Sequence, residues 1–163
     1  VTERDAEELY AKLISDPDLL RTTVYFSYYL FETHARFGRT DLILKALDLW
    51  KSYVEIGAAT TLEQPVPSRS DCHAWGSHPL HHMHASVLGV RPDAPFFSKV
   101  KIAPKPGPLK FIKAVTPHPK GVIKSDLRFD RGKISGCITL PEGVEGELEW
   151  GGRTLPIASG KMF

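Results

Sequence analysis

Glu63, Arg69, Asp71, His73 and Trp75 fall within thirteen positions of one another in the stretch GAATTLEQPVPSRSDCHAWGSHP, residues 57–79. A glutamate between Thr60-Thr61, whose hydroxyls can hold a carboxylate, and Pro65 and Pro67, which stiffen the chain, is a candidate base. Arg, Asp and His can share the hydroxyls of a sugar, and Trp offers a flat apolar face to the C–H side of its ring. Each of these residues also has an ordinary use. A loop glutamate is commonly a solvated surface group, Asp71 fits a helix cap, and Trp75 fits a core anchor. Glu32, amid the aromatics of TTVYFSYYLFETHARF, is a second carboxylate that either faces the same pocket or projects to solvent.

Other chemistries find less support. Five histidines, His73, His78, His81, His82 and His84, lie within twelve positions, and His78 and His82 have the spacing that puts two imidazoles on one helix face. A metal there would need His73 or Asp71 as a third ligand, and neither an HExxH nor a CxxC context accompanies them, so no metal is assigned. Cys72 and His73 are sequence neighbours whose side chains diverge, which argues against a cysteine nucleophile activated by that histidine. With no glycine-rich phosphate loop or dinucleotide fingerprint, no cofactor is expected.

The elements that must position this loop are legible from periodicity. Ala6, Leu9, Tyr10, Leu13 and Ile14 predict a short helix over 3–14, capped by Thr2 and stopped at Asp16-Pro17. Residues 22–37 are apolar nearly all round and read as a buried helix ending at Gly38. Thr40 is the expected cap of a third helix over 41–55, closed by Gly57 and forming an antiparallel hairpin with the second. A fourth helix is expected from about His73 to Leu88, kinked at Pro79 or starting there. Composition then changes at Arg91-Pro92-Asp93-Ala94-Pro95. Strand-like pieces follow at 99–103, 109–116, 121–130, 133–140, 145–150 and 153–157, with turn residues between them, as expected for an antiparallel sandwich with hairpin connections.

The bulk numbers bound the rest. A chain of 163 residues, 42% hydrophobic, can bury one core or two small ones. The net charge of +2 hides an asymmetry, because residues 91–163 carry thirteen Lys/Arg against seven Asp/Glu. Those lysines are scattered through strands without interleaved aromatics, so solvated strand faces are expected rather than a nucleic-acid surface. Cys72 and Cys137 read as free, mostly buried thiols. No apolar run approaches the ~20 residues of a membrane span, and the compartment is left open.

The run FSYYLFETHARFGRTDLILKALDLWKSYVEIGAATTLEQP, then SRSDCHAWGSHPL, VLGVRPDAP, VKIAP, GPLK, HPKG and ITLPEGV, resembles the C-terminal end of bacterial α-L-rhamnosidases of glycoside hydrolase family 78. The resemblance covers nearly the whole chain. It implies a fold of class α+β in two parts: residues 1–90 as the last helices of an (α/α)6 barrel, and residues 91–163 as a C-terminal β-sandwich. It implies inverting hydrolysis of terminal α-L-rhamnose, with Glu63 as general base, His73 as a sugar contact, and Trp75, Asp71 and Arg69 near the sugar. The family commonly has Trp directly before that glutamate, where this chain has Leu62. The general acid of the family comes from earlier in the barrel, so the resemblance implies a piece of a larger hydrolase that is inactive alone. Its partners would be a rhamnoside and the remainder of the parent chain, and a bare barrel face would favour self-association. Two further readings stand beside it: a non-catalytic carbohydrate-binding or interaction module, and an (α/α)6 hydrolase of another sugar.

Overall fold

The computed structural model describes residues 2–157 and 161–162. A helical region leads into two four-stranded β-sheets. Helix α1, Glu3–Ser15, begins with a reciprocal cap in which the Thr2 hydroxyl accepts from the Asp5 amide and the Asp5 carboxylate accepts from the Thr2 amide. Only Tyr10 of its apolar stripe is buried, stacked on Phe37 at 4.0 Å and hydrogen-bonded to His34 Nδ1 at 2.8 Å. Leu9, Leu13 and Ile14 face solvent.

The expected second helix is shorter and less buried than its composition suggests. It runs as α2, Ser27–Arg36, burying Ser27, Phe31, His34 and Ala35, while Tyr25, Phe26 and Tyr29 stay exposed at its start. The expected third helix arrives as α3, Thr40–Ala46, and α4, Asp48–Glu55. They are separated by a tightened turn in which the Leu47 amide bonds Leu44 O, three residues back. Thr40 is not a side-chain cap. It is buried as the first helical residue, and its hydroxyl donates to Lys105 O at 2.7 Å. Phe31, Ala35 and Ile43 form a small core, closed by Ala46, Leu47, Trp50 and Met83.

The expected fourth helix resolves into three pieces. A 3₁₀ turn over Ala74–Ser77 leads into α5, His78–His82, with Pro79 in the first turn, where its missing N–H breaks no helical bond. A π-helical turn, Met83–Val87, follows and closes with Leu88 N to Met83 O at 3.0 Å. Of the histidines in this segment His78 and His82 are buried, His84 is half-buried and His81 exposed, and Tyr28 packs its ring against His78, His81 and His82.

Strands β1, Val90–Pro92, and β2, Lys99–Ile102, pair antiparallel. β3, Phe111–His118, β4, Gly121–Asp130, and β5, Lys133–Thr139, form an antiparallel meander whose fourth strand is β8, Lys161–Met162. β6, Glu145–Trp150, and β7, Arg153–Ile157, complete the first sheet, in the order β1-β2-β6-β7. The purely antiparallel expectation is corrected at one seam, because β2 runs parallel to β6, with Lys99 opposite Glu145 and Ile102 opposite Leu148. Hairpin reasoning from adjacent segments cannot reach this pairing, since the whole meander intervenes. β1 was absent from the expected strands.

Val100, Ile102, Leu148 and Ile157 from the first sheet share one core with Ile123, Leu127, Phe129 and Ile138 from the second. The alternation is plainest in β4, where Ile123, Ser125, Leu127 and Phe129 are buried and their neighbours exposed. On the solvent face, Lys99 reaches Glu147 at 2.8 Å and Lys101 reaches Glu149 at 2.6 Å, so these cations lie on solvated strand faces, as expected. Cys72 is exposed and Cys137 half-buried, which corrects the expectation of buried thiols. No helix among the described residues is long and apolar enough to cross a membrane.

Gly89 joins the helical region to β1 with φ +76°, and a Cβ there would lie 2.1 Å from Ala103 O. Gly89→Ala should therefore destabilise the protein by at least about 2 kcal/mol, through both the left-handed backbone and the clash, as a lowered urea midpoint would show. Burial pushes the His82 imidazole from 6.5 down to about 4, against an opposing pull from Glu32, and burial also lowers His34, His78 and His84. These groups bind protons more readily when unfolded. Their contribution is thus complete above about pH 6.5 and is lost as pH falls towards 4, with His82 contributing on the order of 3 kcal/mol. Urea titrations across that window should show the decline, and His82→Asn should flatten it.

Candidate functional site

The segment 58–73 is irregular, and its backbone polar groups must find partners without a helix or sheet. It solves this by folding residues 60–63 against 70–73. His73 N donates to Thr61 O at 2.8 Å, the Thr61 hydroxyl donates to His73 O at 2.6 Å, and Glu63 N donates to Ser70 O at 3.0 Å. The Thr60 hydroxyl donates to Asp71 O. Inside the turn, Gln64 donates to Pro67 O, and the Ser68 hydroxyl donates to Ser70 O. Leu62 is buried beneath. The paired threonines therefore grip backbone carbonyls across the loop, rather than the Glu63 carboxylate for which the sequence suggested them.

Two contacts tie this double layer to the helices. Trp50 Nε1 donates to Gly76 O at 2.6 Å. Gly76 passes so close to the Thr61-Leu62 backbone that a Cβ would sit 2.8 Å from Leu62 O. This close approach lets Trp75 lie over the glutamate's own backbone, with Nε1 donating to Glu63 O at 3.3 Å.

The Glu63 side chain is only 9% exposed, and its Oε1 is paired with the guanidinium of Arg69, itself 74% exposed. Among the described residues Oε2 has no partner. His73 packs its ring on Trp75, with centroids 4.0 Å apart at 41°, and its Nδ1 is buried without a hydrogen-bond partner. Trp75 is 39% exposed and is not the core anchor that residue type alone allows. Glu63, Arg69, His73 and Trp75 are thus brought together. Asp71 joins only through its carbonyl, and it lines a separate groove with Ala58, Thr60, Leu62 and Cys72.

Tyr25 was missed by the sequence reading. Its ring lies 5.2 Å from Trp75 and touches Phe26 and Tyr29, extending the His73-Trp75 surface into an exposed aromatic shelf. Its position in an apolar helix start gave no sign of a role beside a loop fifty residues away. Glu32 lies elsewhere, bonded to Arg91 at 3.1 Å and close to His81 and His82.

The profile described as the bacterial alpha-L-rhamnosidase C-terminal domain matches residues 89–156. A family 78 rhamnosidase of Bacillus sp. GL1 superposes over 91% of this chain, with a TM-score of 0.75 and 29% identity. The chain is homologous to the C-terminal region of bacterial α-L-rhamnosidases of glycoside hydrolase family 78. The α-L-rhamnosidase of Dictyoglumus thermophilum shares its fold over 91% of the chain at TM-score 0.71 and 24% identity. That of Streptomyces avermitilis, solved with L-rhamnose, does so over 88% at 0.65 and 20%. The chain spans 18%, 19% and 16% of these three rhamnosidases respectively. Comparison with curated proteins gives no match.

The profile match falls on the strands, and the loop that carries Glu63 precedes it. Gly76→Ala should push the Trp75 segment off the Thr61-Leu62 backbone and cost about 1–3 kcal/mol by overpacking, read as a lowered urea midpoint with changed tryptophan fluorescence.

Proposed function

We propose that this chain carries the base half of an inverting glycosidase site that removes terminal α-L-rhamnose, with Glu63 as the general base. The observation that carries the reading is the Glu63 carboxylate. It is nearly enclosed, one oxygen is fixed by Arg69, and the other has no partner among the described residues. An inverting enzyme needs a carboxylate that holds a water on the face of the sugar opposite the leaving group, about 6.5–9.5 Å from the acid. One anchored oxygen sets the orientation, and the free one takes the water's proton.

Beside it, His73 and Trp75 supply a ring-stacked surface for the sugar. Trp75 packs the C–H face, and His73 and Arg69 hydrogen-bond hydroxyls. Asp71 turns its carbonyl into the loop, and its exposed carboxylate is assigned a peripheral sugar contact. Residues 1–90 serve as the last helices of an (α/α)6 barrel and residues 91–163 as a β-sandwich behind it. The exposed apolar residues Leu9, Leu13 and Ile14 of α1 fit the packing of further barrel helices. Glu32 is bonded to Arg91 and lines a different groove, so the proton donor is assigned to chain outside residues 1–163.

In the full-length hydrolase, Glu63→Gln should reduce turnover of an aryl α-L-rhamnoside by about 10²–10⁴-fold, because loss of the base raises the barrier to water attack. Its thermal midpoint should stay near that of the parent. Near-normal turnover in the folded variant, or turnover by residues 1–163 alone, would overturn the assignment.

A further inference from the structure

Glu32, His81 and His82 form a cluster that sugar hydrolysis leaves unused. Helix α2 presents the carboxylate, and α5 presents both imidazoles. Glu32 Oε1 lies 3.6 Å from His82 Nδ1 and 3.7 Å from His81 Nε2, and one ligand atom from each residue falls within 4.8 Å of the others. Zinc bonds of about 2.0–2.2 Å at tetrahedral angles place neighbouring ligand atoms about 3.3–3.6 Å apart. The two edges to Glu32 Oε1, 3.6 and 3.7 Å, lie within about 0.1 Å of that spacing.

His82 is the fixed member. It is fully buried, ring-packed against Phe31 and Tyr28, and its Nδ1 is 3.1 Å from the Ser86 hydroxyl. Its Nε2 is enclosed without a hydrogen-bond partner, so Nδ1 is the ring's polar outlet. With the proton on Nε2, the Nδ1 lone pair faces a carboxylate oxygen, and a cation between them turns a repulsion into two bonds.

We propose that Glu32, His81 and His82 bind a divalent transition metal ion of the zinc class, with a fourth, solvent-facing position. Two imidazoles and one carboxylate suit zinc and disfavour calcium or magnesium, which take oxygen ligands. His81 is 48% and Glu32 35% exposed at the side chain, which leaves an approach for the ion and a water. Arg91 Nη2 lies 3.1 Å from Oε1 and 3.4 Å from Oε2. It can keep Oε2 while Oε1 takes the metal, and so orients the ligating carboxylate from behind. The pairing differs from the one that sequence spacing suggests, because the ligand atoms gathered around His82 come from Glu32 and His81, while His78 turns its Nε2 to the Ser27 hydroxyl and Val24 O. A bound ion would clamp α2 to α5 beside the arginine that ties α2 and the π-helical turn to β1.

The test is calorimetric titration of the chelator-stripped protein with zinc chloride, paired with the visible spectrum on adding cobalt(II). One saturable site per chain and an intense tetrahedral cobalt spectrum are expected. Glu32→Gln and His81→Ala, both partly exposed and tolerable to the fold, should each weaken binding by at least about tenfold. His73→Ala, in the loop, should leave it unchanged. Failure of the wild-type protein to bind either ion saturably would overturn the proposal. So would zinc binding that survives Glu32→Gln and His81→Ala but is lost in His73→Ala. Neither result bears on Glu63, whose readout is rhamnoside turnover.

Discussion

The close backbone approach at Gly89 is the constraint on which the arrangement of the two regions depends. Gly89 O accepts from Ala103 N at 3.0 Å, and Val87 O accepts from Lys105 N at 2.9 Å. The chain leaving the π-helical turn is thereby laid directly against the chain leaving β2. β1 can then pair with β2, and Arg91 can reach back to Ala85 O, Ser86 and Glu32. On the other side of the seam, Lys105 bonds Ala35 O and receives the Thr40 hydroxyl. A side chain at Gly89 would hold these elements apart, because the space it needs is occupied by a carbonyl.

The loop that carries Glu63 is organised by a different economy. It has no repeating hydrogen-bond pattern to rely on, so threonine and serine hydroxyls cap its carbonyls one at a time. The result is a stiff platform on which a carboxylate is largely shielded from water and an aromatic shelf is exposed. Such a combination is costly for folding and useful for binding, which is why the loop and not the core is read as the working part.

The histidines show how a residue type can mislead when its surroundings are unknown. A cluster of five reads as a metal site or as a surface feature, and its members divide: His78 and His82 are buried, His73 and His84 half-buried, and His81 exposed. His78 sits among aromatics with a hydrogen bond to Ser27, and His84 reaches across to Thr116. The group with ligand spacing combines neighbours His81 and His82 with a carboxylate from another helix, a combination that no spacing rule within one helix would select.

Part of the local structure was legible in the sequence. Capping residues and apolar period placed α1, glycines at 38, 57 and 89 ended their segments in the left-handed region, and alternation with turn residues placed β4, β6 and β7 at their observed bounds. It also gathered Glu63, Arg69, His73 and Trp75 into one loop, because they are near in chain as well as in space. Long-range packing set the parallel pairing of β2 with β6, the exposure of Tyr25, Phe26 and Tyr29, and the meeting of Glu32 with His81, His82 and Arg91. The physical reason is common to all three. Propensity and period report what a segment prefers alone, whereas these features depend on which distant surface covers it, and that is settled by packing.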